Sequence, residues 1–420
     1  MRIYLVGGAV RDRILSIKGK DRDYCVEGAT PEDLLRLGYR QVGHDFPVFI
    51  HPKTGEEYAL CRTERKSGHG YNGFVCDFSP DISITEDLKR RDLTINAIAE
   101  DEHGNLVDPL NGAQDIANRI LRHAGPAFSE DPLRVLRLAR FYARFFRMGF
   151  RVAPETEKLC TEMAASGELE ALTPERIWLE TEKALSTDNP EQYFIFLEKT
   201  GALKCVMPDI AALHGIPEPP DFHPEGTVFD HTMLTLREIS RITRNPVTRF
   251  AMLTHDFGKL ETPPESLPRH EKHTEKGAPR IRAMAAALKI PSLYRDFAVK
   301  ISENHSYTRL NSKDPAILDR VFFKMGGYKK PENIFILAEC LTADFRGRDK
   351  KTPEHFTQSY NLVYLFNQAR KITPAPVIQD GFQGAEIQTE LSRRRQKVIA
   401  AAQEWLKRFW KEQGISEDLF

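Results

Sequence analysis

RIYLVGGAVRDRILSIKGKDRDYCV, residues 2–26, decides how this chain is read. An apolar, strand-like run (Ile3 to Val6) stops at Gly7-Gly8 and gives way to a helix-like segment from Ala9 to Ile17. Glycine lets a backbone approach a ligand closely, and the free N–H groups of a helix N-terminus suit an anion. Arg11 adds a charged fork. Downstream, Asp21 and Asp23 stand two residues apart. If Lys20 to Val26 forms a strand, both side chains share a face, with Cα atoms roughly 7 Å apart. Two divalent cations in a phosphoryl-transfer site lie about 3.5–4 Å apart, a spacing that such carboxylates can bridge. The expected nucleophile is then a hydroxyl and the target a phosphate. The plain alternative is an ordinary strand-turn-helix with a solvated acidic pair, and residues further along must decide.

The chain has 420 residues, enough for two to four domains. Lys+Arg and Asp+Glu both number 60, so no global basic field marks a nonspecific polycation, and any nucleic-acid contact must come from a local patch. The six cysteines are scattered without a CxxC pair, which excludes a zinc ribbon or a thioredoxin-like couple. The N-terminus lacks a signal-peptide pattern and no stretch approaches the roughly 20 apolar residues of a membrane span, so a cytoplasmic protein without membrane contact is expected. Monomer and homodimer both stay open.

Residues 1–124 alternate short β-like runs (Ile3–Val6, Tyr24–Val26, Val48–Ile50, Tyr58–Cys61) with turn clusters, as expected for a small α/β head with a mixed or antiparallel sheet. From about Asp131 the apolar spacing becomes helical, as in PLRVLRLARFYARFF and PERIWLETEKALS. The Pro- and Gly-rich segment from Leu213 to Thr227 marks a boundary. The chain therefore reads as an α+β protein: a head (1–124), a helical neck (125–215), a helical domain (226–345) and a helical tail (346–420).

RRDLTINAIA carries Arg91, Asp92 and Asn96 ahead of an apolar run. In EDPLRVLRLAR, Ser129 or Asp131 caps a helix with Pro132 in its first turn. Asp131, Arg134, Arg137 and Arg140 then recur every three residues as one stripe. Taken alone, that stripe reads as a solvated face opposite Leu133 and Leu136.

Together GGAVRD, DRD, RRDLTINA, EDPLRVLR and ERIWLE, in this order, resemble the motifs of class II tRNA nucleotidyltransferases, the CCA-adding enzymes, over roughly residues 1–200. The resemblance implies a polymerase-β-like nucleotidyltransferase head and an enzyme that adds CCA to the tRNA 3′ end from CTP and ATP. It implies that Asp21 and Asp23 bind catalytic Mg2+, and that Gly8, Arg11 and Arg91 hold the incoming nucleotide. Arg137 and Arg140 would contact its phosphates, and Asp131 and Arg134 would read its base. Arg22 departs from the family, which usually has an apolar residue between the carboxylates. The base-reading role has independent chemical sense. A carboxylate only accepts and a guanidinium only donates, so the pair matches the amino group and ring nitrogen shared by the pairing edges of cytosine and adenine. Guanine and uracil present the opposite pattern, and each good bidentate contact discriminates by about 1–3 kcal/mol. A third carboxylate often completes such a site, with Glu57 the candidate and Glu56 its rival. Arg62 to Asn72 reads either as a basic loop over the primer or as a plain surface loop.

A second constellation runs through VFDHTMLTLRE, MLTHDFGK, SENHSYT and TADFRG. His231, His255-Asp256 and Asp344, with Gly258-Lys259 following, resemble the HD phosphohydrolase superfamily. That resemblance implies that these four residues converge on a divalent metal and that His255 and Asp256 serve catalysis. Imidazole with carboxylate suits a transition ion, Ni2+ among them. His270, His273 and His305 are either further ligands or packing histidines. A metal-activated water would cleave phosphate esters such as a 2′,3′-cyclic phosphate, a phosphomonoester or a 2′-nucleotide blocking the tRNA end.

Two competitors share parts of this pattern. Bacterial poly(A) polymerases carry the head motifs but commonly have a basic C-terminal extension and no HD site, whereas here the tail is mixed in charge, with Arg393 to Lys397 its only basic run. A non-catalytic tRNA-binding scaffold is disfavoured because clustered carboxylates cost stability unless a cation neutralises them. Lys329-Lys330 and Arg393–Arg395 are candidate RNA contacts, or else solvated faces.

Overall fold

The structure, a computed structural model, describes residues 1–19, 22–43, 47–66, 74–306, 313–348 and 356–415. It comprises two compact units, Met1–Val206 and Met207–Phe420.

In the first unit, β1 (Arg2–Val6) turns at Gly7 into α1 (Gly8–Ile14). Gly7 adopts φ +66°, where side chains are strained, and a Cβ there would lie 2.8 Å from Arg91 Nη1. The helix is shorter than the sequence spacing suggests, because Ser16 turns left-handed at φ 56°. Next come β2 (Asp23–Glu27), α2 (Pro31–Arg36), β3 (Arg40–Val42), β4 (Val48–Ile50), β5 (Glu57–Leu60), α3 (Ile84–Lys89), β6 (Ala99–Glu100) and β7 (Leu106–Val107). Capping boxes begin α2 (Thr30 with Asp33) and α3 (Ser83 with Glu86), each satisfying orphan N–H groups of the first turn.

The strands form a sheet in the order β3-β4-β5-β2-β1-β6-β7. It is mixed, as expected, with β2 and β5 parallel and the other neighbours antiparallel. Alternation along β2 sends Cys25 and Val26 to opposite faces. Cys25 joins a core with Tyr4, Val6, Leu88 and Ala99, and Val26 joins one with Leu34, Phe49 and Leu60. Asp23 heads β2 two residues before Cys25, so it shares the face of the first core at the open end of the sheet.

The helical half of this unit includes α4 (Leu133–Phe145) and α5 (Pro174–Leu185). Asp131 accepts the Leu133 N–H at 3.0 Å, whereas the Ser129 hydroxyl turns back to the Pro126 carbonyl. Of the two candidate caps, Asp131 therefore acts. Val135, Leu136, Leu138 and Ala139 bury one face of α4, a large aliphatic side chain contributing about 1.5–3 kcal/mol when fully buried.

The second unit is helical: α6 (Val228–Ile242), α7 (Pro246–Leu253), α8 (His273–Ala287), α9 (Ser292–Asn304), α10 (Glu332–Arg346), α11 (Gln358–Ala369) and α12 (Ala385–Glu412) are its longer elements. Arg249 is fully buried and donates to the Ser240 and Thr243 carbonyls, closing the C-terminal end of α6. The segment 213–227, expected as a boundary, folds back within this unit. Glu218 N–H donates to the Gly226 carbonyl and Val228 N–H to that of Ile216, each at 2.9 Å. Its prolines and glycines shape a strap rather than a linker. After Asp256, a 3-10 turn (Phe257–Glu261) meets the start of α8 so closely that a Cβ on Gly258 would lie 1.8 Å from the His273 carbonyl oxygen.

Candidate functional site

A cleft of about 910 Å³ opens in the first unit, between the Gly7-Gly8 turn, the end of β2 and one face of α4. Eleven lysines and arginines line it against five aspartates, a local excess of positive charge that the neutral whole chain conceals. Asp23 stands at its wall, in register with Val6 on β1 and with Glu57 on β5. Partners in one register point to the same side of a sheet, so the backbone brings Glu57 to the face of Asp23. The Glu56 carboxylate is instead held by Thr54 Oγ1 at 2.9 Å in the preceding turn. Two carboxylates on one face form a hard-oxygen donor set of the kind magnesium prefers. Asp21, the other expected ligand, lies outside the described residues, as does Lys20; β2 itself begins at Asp23.

The guanidiniums of Arg11, Arg91, Arg137, Arg140 and Arg144 along the cleft each meet a fixed acceptor. Arg11 is buried, grips Asp12 through Nε and Nη2 at 2.8 and 2.7 Å, bonds Asn96 through Nη1, and lies over the rings of Phe141 and Phe145. Arg91 reaches Asp87 at 3.0 Å. Gly8 lines the cleft, but the glycine requirement falls on Gly7, whose hydrogen faces Arg91. On α4, Arg137 bonds buried Asp92 at 2.9 and 2.7 Å, Arg140 bonds buried Glu180 of α5 at 2.5 Å, and Arg144 bonds Asp12 at 2.8 Å. Burial opposes the charge on Asp92, yet Arg137 and Asn96 hold its pKa well below the usual carboxylate range. The stripe is therefore not a solvated face.

Asp131 and Arg134 both line the cleft. Arg134 donates to the carbonyls of Ala127 and Arg90, each at 2.8 Å. Arg176, from α5, grips Asp131 at 3.2 and 2.9 Å. Both side chains are thus oriented by groups other than each other. Arg62 lines the same cleft, and the loop that begins with it pairs Thr63–Lys66 with Phe74–Asp77; residues 67–73 lie outside the described part.

The second unit gathers His231 from α6, His255 and Asp256 after α7, and Asp344 from α10. All four are buried. His231 Nε2 lies 2.9 Å from Asp344 Oδ1 and 3.9 Å from Asp256 Oδ2, while His255 Nε2 lies 3.1 Å from Asp256 Oδ2 and 4.0 Å from Asp344 Oδ1. His255 Nδ1 donates to the Met252 carbonyl, and its Nε2 is buried with no hydrogen-bond partner. His231 Nδ1 bonds Glu225, which also holds His223, each at 2.9 Å. Burial lowers the His231 pKa, but the bonds to Asp344 and Glu225 outweigh it and raise it to about 9, a measure of how strongly this spot attracts positive charge. Two imidazoles, two carboxylates and an orphaned buried nitrogen fit a transition-metal ion. Lys259 adds an ammonium 2.8 Å from Asp256 Oδ2 and is held in turn by Glu218.

Comparison with known proteins bears first on the head and the helices that follow it. The family described as the poly A polymerase head domain matches residues 3–122, and the one described as a probable RNA and SrmB-binding site of polymerase A matches residues 149–213. The multifunctional CCA protein of Mannheimia succiniciproducens is 50% identical over 401 residues, covering 94% of this chain and 96% of its own. That of Actinobacillus pleuropneumoniae is 49% identical over 404 residues, covering 95% and 98%. The chain belongs to the multifunctional CCA protein family. Its fold resembles the Bacillus stearothermophilus CCA-adding enzyme in complex with CTP (TM-score 0.62, 22% identity, 98% of this chain and 94% of the other) and a CCA-adding enzyme with ATP (TM-score 0.61, 21% identity, 95% and 86%). The expected α+β class with a nucleotidyltransferase head is the one found.

For this member of the CCA protein family, sequence motifs missed several residues of the two sites and their supports. Arg144 continues the stripe four residues after Arg140, a spacing that could have found it. Arg176 sat inside the ERIWLE motif without a role, and Glu180 ends the same motif. Glu218 and Glu225 were hidden in a segment read as a boundary. Of the extra histidines, His270 bonds Thr262 and the Pro217 carbonyl, a packing role, whereas His273 and His305 face Asp256. Arg395, a candidate RNA contact, is instead buried over the Tyr328 ring, 3.6 Å from its centroid, and Arg393 and Arg394 are paired with Glu390. No helix among the described residues is long and apolar enough to cross a membrane.

Proposed function

We propose that this protein adds and repairs the 3′-terminal CCA of tRNA from CTP and ATP without a nucleic-acid template, in the cytoplasm, and that its second unit hydrolyses phosphate esters at the same RNA end. The convergence of Asp23, the Asp131/Arg134 edge and the arginines of α4 in one cleft carries the first activity. Asp21 and Asp23, with Glu57 in register beside Asp23, would hold Mg2+, which supplies activation of the tRNA hydroxyl and neutralisation of the departing pyrophosphate. Arg11 and Arg91 flank the Gly7-Gly8 turn and bind the incoming nucleotide, while Arg137 and Arg140 hold its phosphates with their planes set by Asp92 and Glu180. Asp131 accepts from the base amino group and Arg134 donates to the ring nitrogen. Their orientation by Arg176 and by backbone carbonyls keeps that edge fixed, so the two residues act as a protein template.

The buried quartet of the second unit carries the second activity. His231, His255, Asp256 and Asp344 would hold a divalent transition ion such as Ni2+, which supplies an activated water at neutral pH. Lys259, held by Glu218 beside Asp256, would bind a phosphate oxygen. The substrates in this reading are a 2′,3′-cyclic phosphate, a terminal phosphomonoester or a 2′-nucleotide.

CTP alone, given to tRNA lacking its CCA end, tests the first activity. Addition of cytidine supports it; no addition with CTP but a run of adenylate with ATP would favour a poly(A) polymerase. Hydrolysis of a 2′,3′-cyclic nucleotide by the nickel-loaded chain tests the second, and its persistence in His255→Ala would overturn it.

A further inference from the structure

Cys25 and Cys61 stand 36 residues apart in the chain, yet their sulfurs lie 3.2 Å apart. The head sheet brings them together. Strands β2 and β5 run parallel, with Asp23 opposite Glu57 and Cys25 opposite Ala59, and Cys61 extends the ladder by donating its N–H to the Val26 carbonyl at 2.9 Å. Cys61 lies two residues beyond Ala59, and side chains two apart share a face, so both thiols turn to the side of Asp23 and Glu57. There they join one core with Tyr4, Val6, Leu88 and Ala99. A disulfide holds its sulfurs at about 2.05 Å, so the reduced pair is about 1 Å short of a bond.

The pair sits where a small displacement reaches the site. Cys25 follows Asp23 by two residues and, although only 1% exposed, contributes to the lining of the cleft. Cys61 precedes Arg62, another lining residue, whose backbone N–H donates to Asp87 Oδ1 at 3.4 Å. Asp87 Oδ2 in turn holds the Arg91 guanidinium at 3.0 Å. A pull on Cys61 is thereby passed to the carboxylate that orients Arg91. The bond to Cys61 and burial push the Cys25 thiol well above its usual range. A protonated thiol is a poor nucleophile, so oxidation of this pair is slow and calls for sustained oxidant.

We propose that Cys25 and Cys61 are an oxidisable dithiol in the wall of the cleft, which closes to a disulfide under peroxide and lowers nucleotide addition until a thiol reductant reopens it. The consequence for addition rests on reading the cleft as the nucleotidyl-transfer site. In the first step the Cys25 sulfur attacks one peroxide oxygen: an S–O bond forms, the O–O bond breaks, and the departing hydroxide takes up the thiol proton as water. In the second, the Cys61 sulfur attacks the resulting sulfenic acid: the S–S bond forms, the S–O bond breaks, and the hydroxyl leaves with the Cys61 proton as a second water. The two thiols lose two electrons and one peroxide gains them. Closing the bond draws the sulfurs together by about 1 Å and strains the Arg62–Asp87–Arg91 chain, and a misplacement of that size costs up to about 100-fold in rate.

Treatment of the full chain with hydrogen peroxide, followed by peptide mass spectrometry without reduction, tests this. The peptides carrying Cys25 and Cys61 should appear joined and two hydrogens lighter than their sum. In the same sample, CTP addition to tRNA lacking its CCA end should fall about 10–100-fold and return with dithiothreitol. Cys61→Ala should start at wild-type addition and keep it through the treatment. Cys205, which is partly exposed, reports that the oxidant has acted. Its oxidation without a Cys25–Cys61 link would overturn the proposal. A link with unchanged addition would overturn the switch, as would a Cys61→Ala chain that loses addition as the wild type does. Should that variant misfold, the linked peptides and the reductant-reversible loss in the wild-type chain decide without it. A reduced chain that adds no cytidine would instead overturn the reading of the cleft, leaving the mass spectrum to decide the dithiol.

Discussion

The cleft of the first unit and the histidine cluster of the second solve opposite electrostatic problems. In the cleft, carboxylates and guanidiniums arrive in pairs: Asp92 with Arg137, Glu180 with Arg140, Asp12 with Arg11 and Arg144, Asp131 with Arg176. The protein supplies its own countercharge and keeps an excess of cations for an anionic ligand. In the cluster, imidazole lone pairs and carboxylates face one another at 2.9–4.0 Å, with Lys259 the nearby ammonium. The difference fits the proposed roles: phosphate groups held by paired arginines in the first unit, and a transition ion held by imidazoles in the second.

The contrast predicts which substitutions act where. Asp23→Asn should lower CTP and ATP addition by more than about 100-fold, since even residues behind a metal ligand cost 10–100-fold, while cyclic phosphodiesterase activity stays intact. His255→Ala should do the converse, abolishing phosphodiester hydrolysis and leaving nucleotide addition within about twofold of wild type, as expected for separate sites. If both activities fall together in a folded protein, the two-site contrast is wrong. Glu225→Gln should weaken nickel binding about 10–100-fold by releasing the His231 ring, measured by competition with a chelator.

Smaller effects probe the pairing itself. Arg176→Ala frees the Asp131 carboxylate, so the preference for CTP over UTP, read from kcat/KM, should shrink by about 1–3 kcal/mol, with little change in Tm. Unchanged discrimination would show that Arg176 does not position the base-reading edge. Asp92 gives a pH signature. Its folded pKa is depressed, so its stabilising contribution is complete above its unfolded value of about 4 and is lost as pH falls through the folded value. Thermal unfolding of Asp92→Asn should accordingly lose part of the wild-type decline below about pH 4, together with about 1–3 kcal/mol at neutral pH.

Particular residues show what could be read in advance. The Val48–Ile50 strand agrees with the sequence reading residue for residue, and the other three expected head strands lie within a residue of it, because alternation of side chains is a local property; short strands such as Arg40–Val42 and Ala99–Glu100 were not expected. His231, His255, Asp256 and Asp344 were picked out by their resemblance to the HD phosphohydrolase pattern, and the fold brings the four together. Glu225 was not, because its role depends on a proline-rich strap folding back against α6. Arg395, read as an RNA contact or part of a solvated face, is buried, and could not be foreseen for the same reason: charge is visible in a sequence, and a Tyr328 ring beneath it is not.

By itself, then, the sequence determined the order of chemistries in this protein: a glycine turn and acidic strand, an arginine-bearing helix, and a set of histidines and aspartates on later helices. These follow from short-range periodicity and from residue types that have few alternatives. Only the tertiary structure decided which charges meet. It gave Asp131 to Arg176 across 45 residues and Asp344 to His231 across 113, and it turned the second oxygen of Asp256 toward His273 and His305. Electrostatic partnership depends on distance and burial, and neither is encoded at any fixed spacing along the chain.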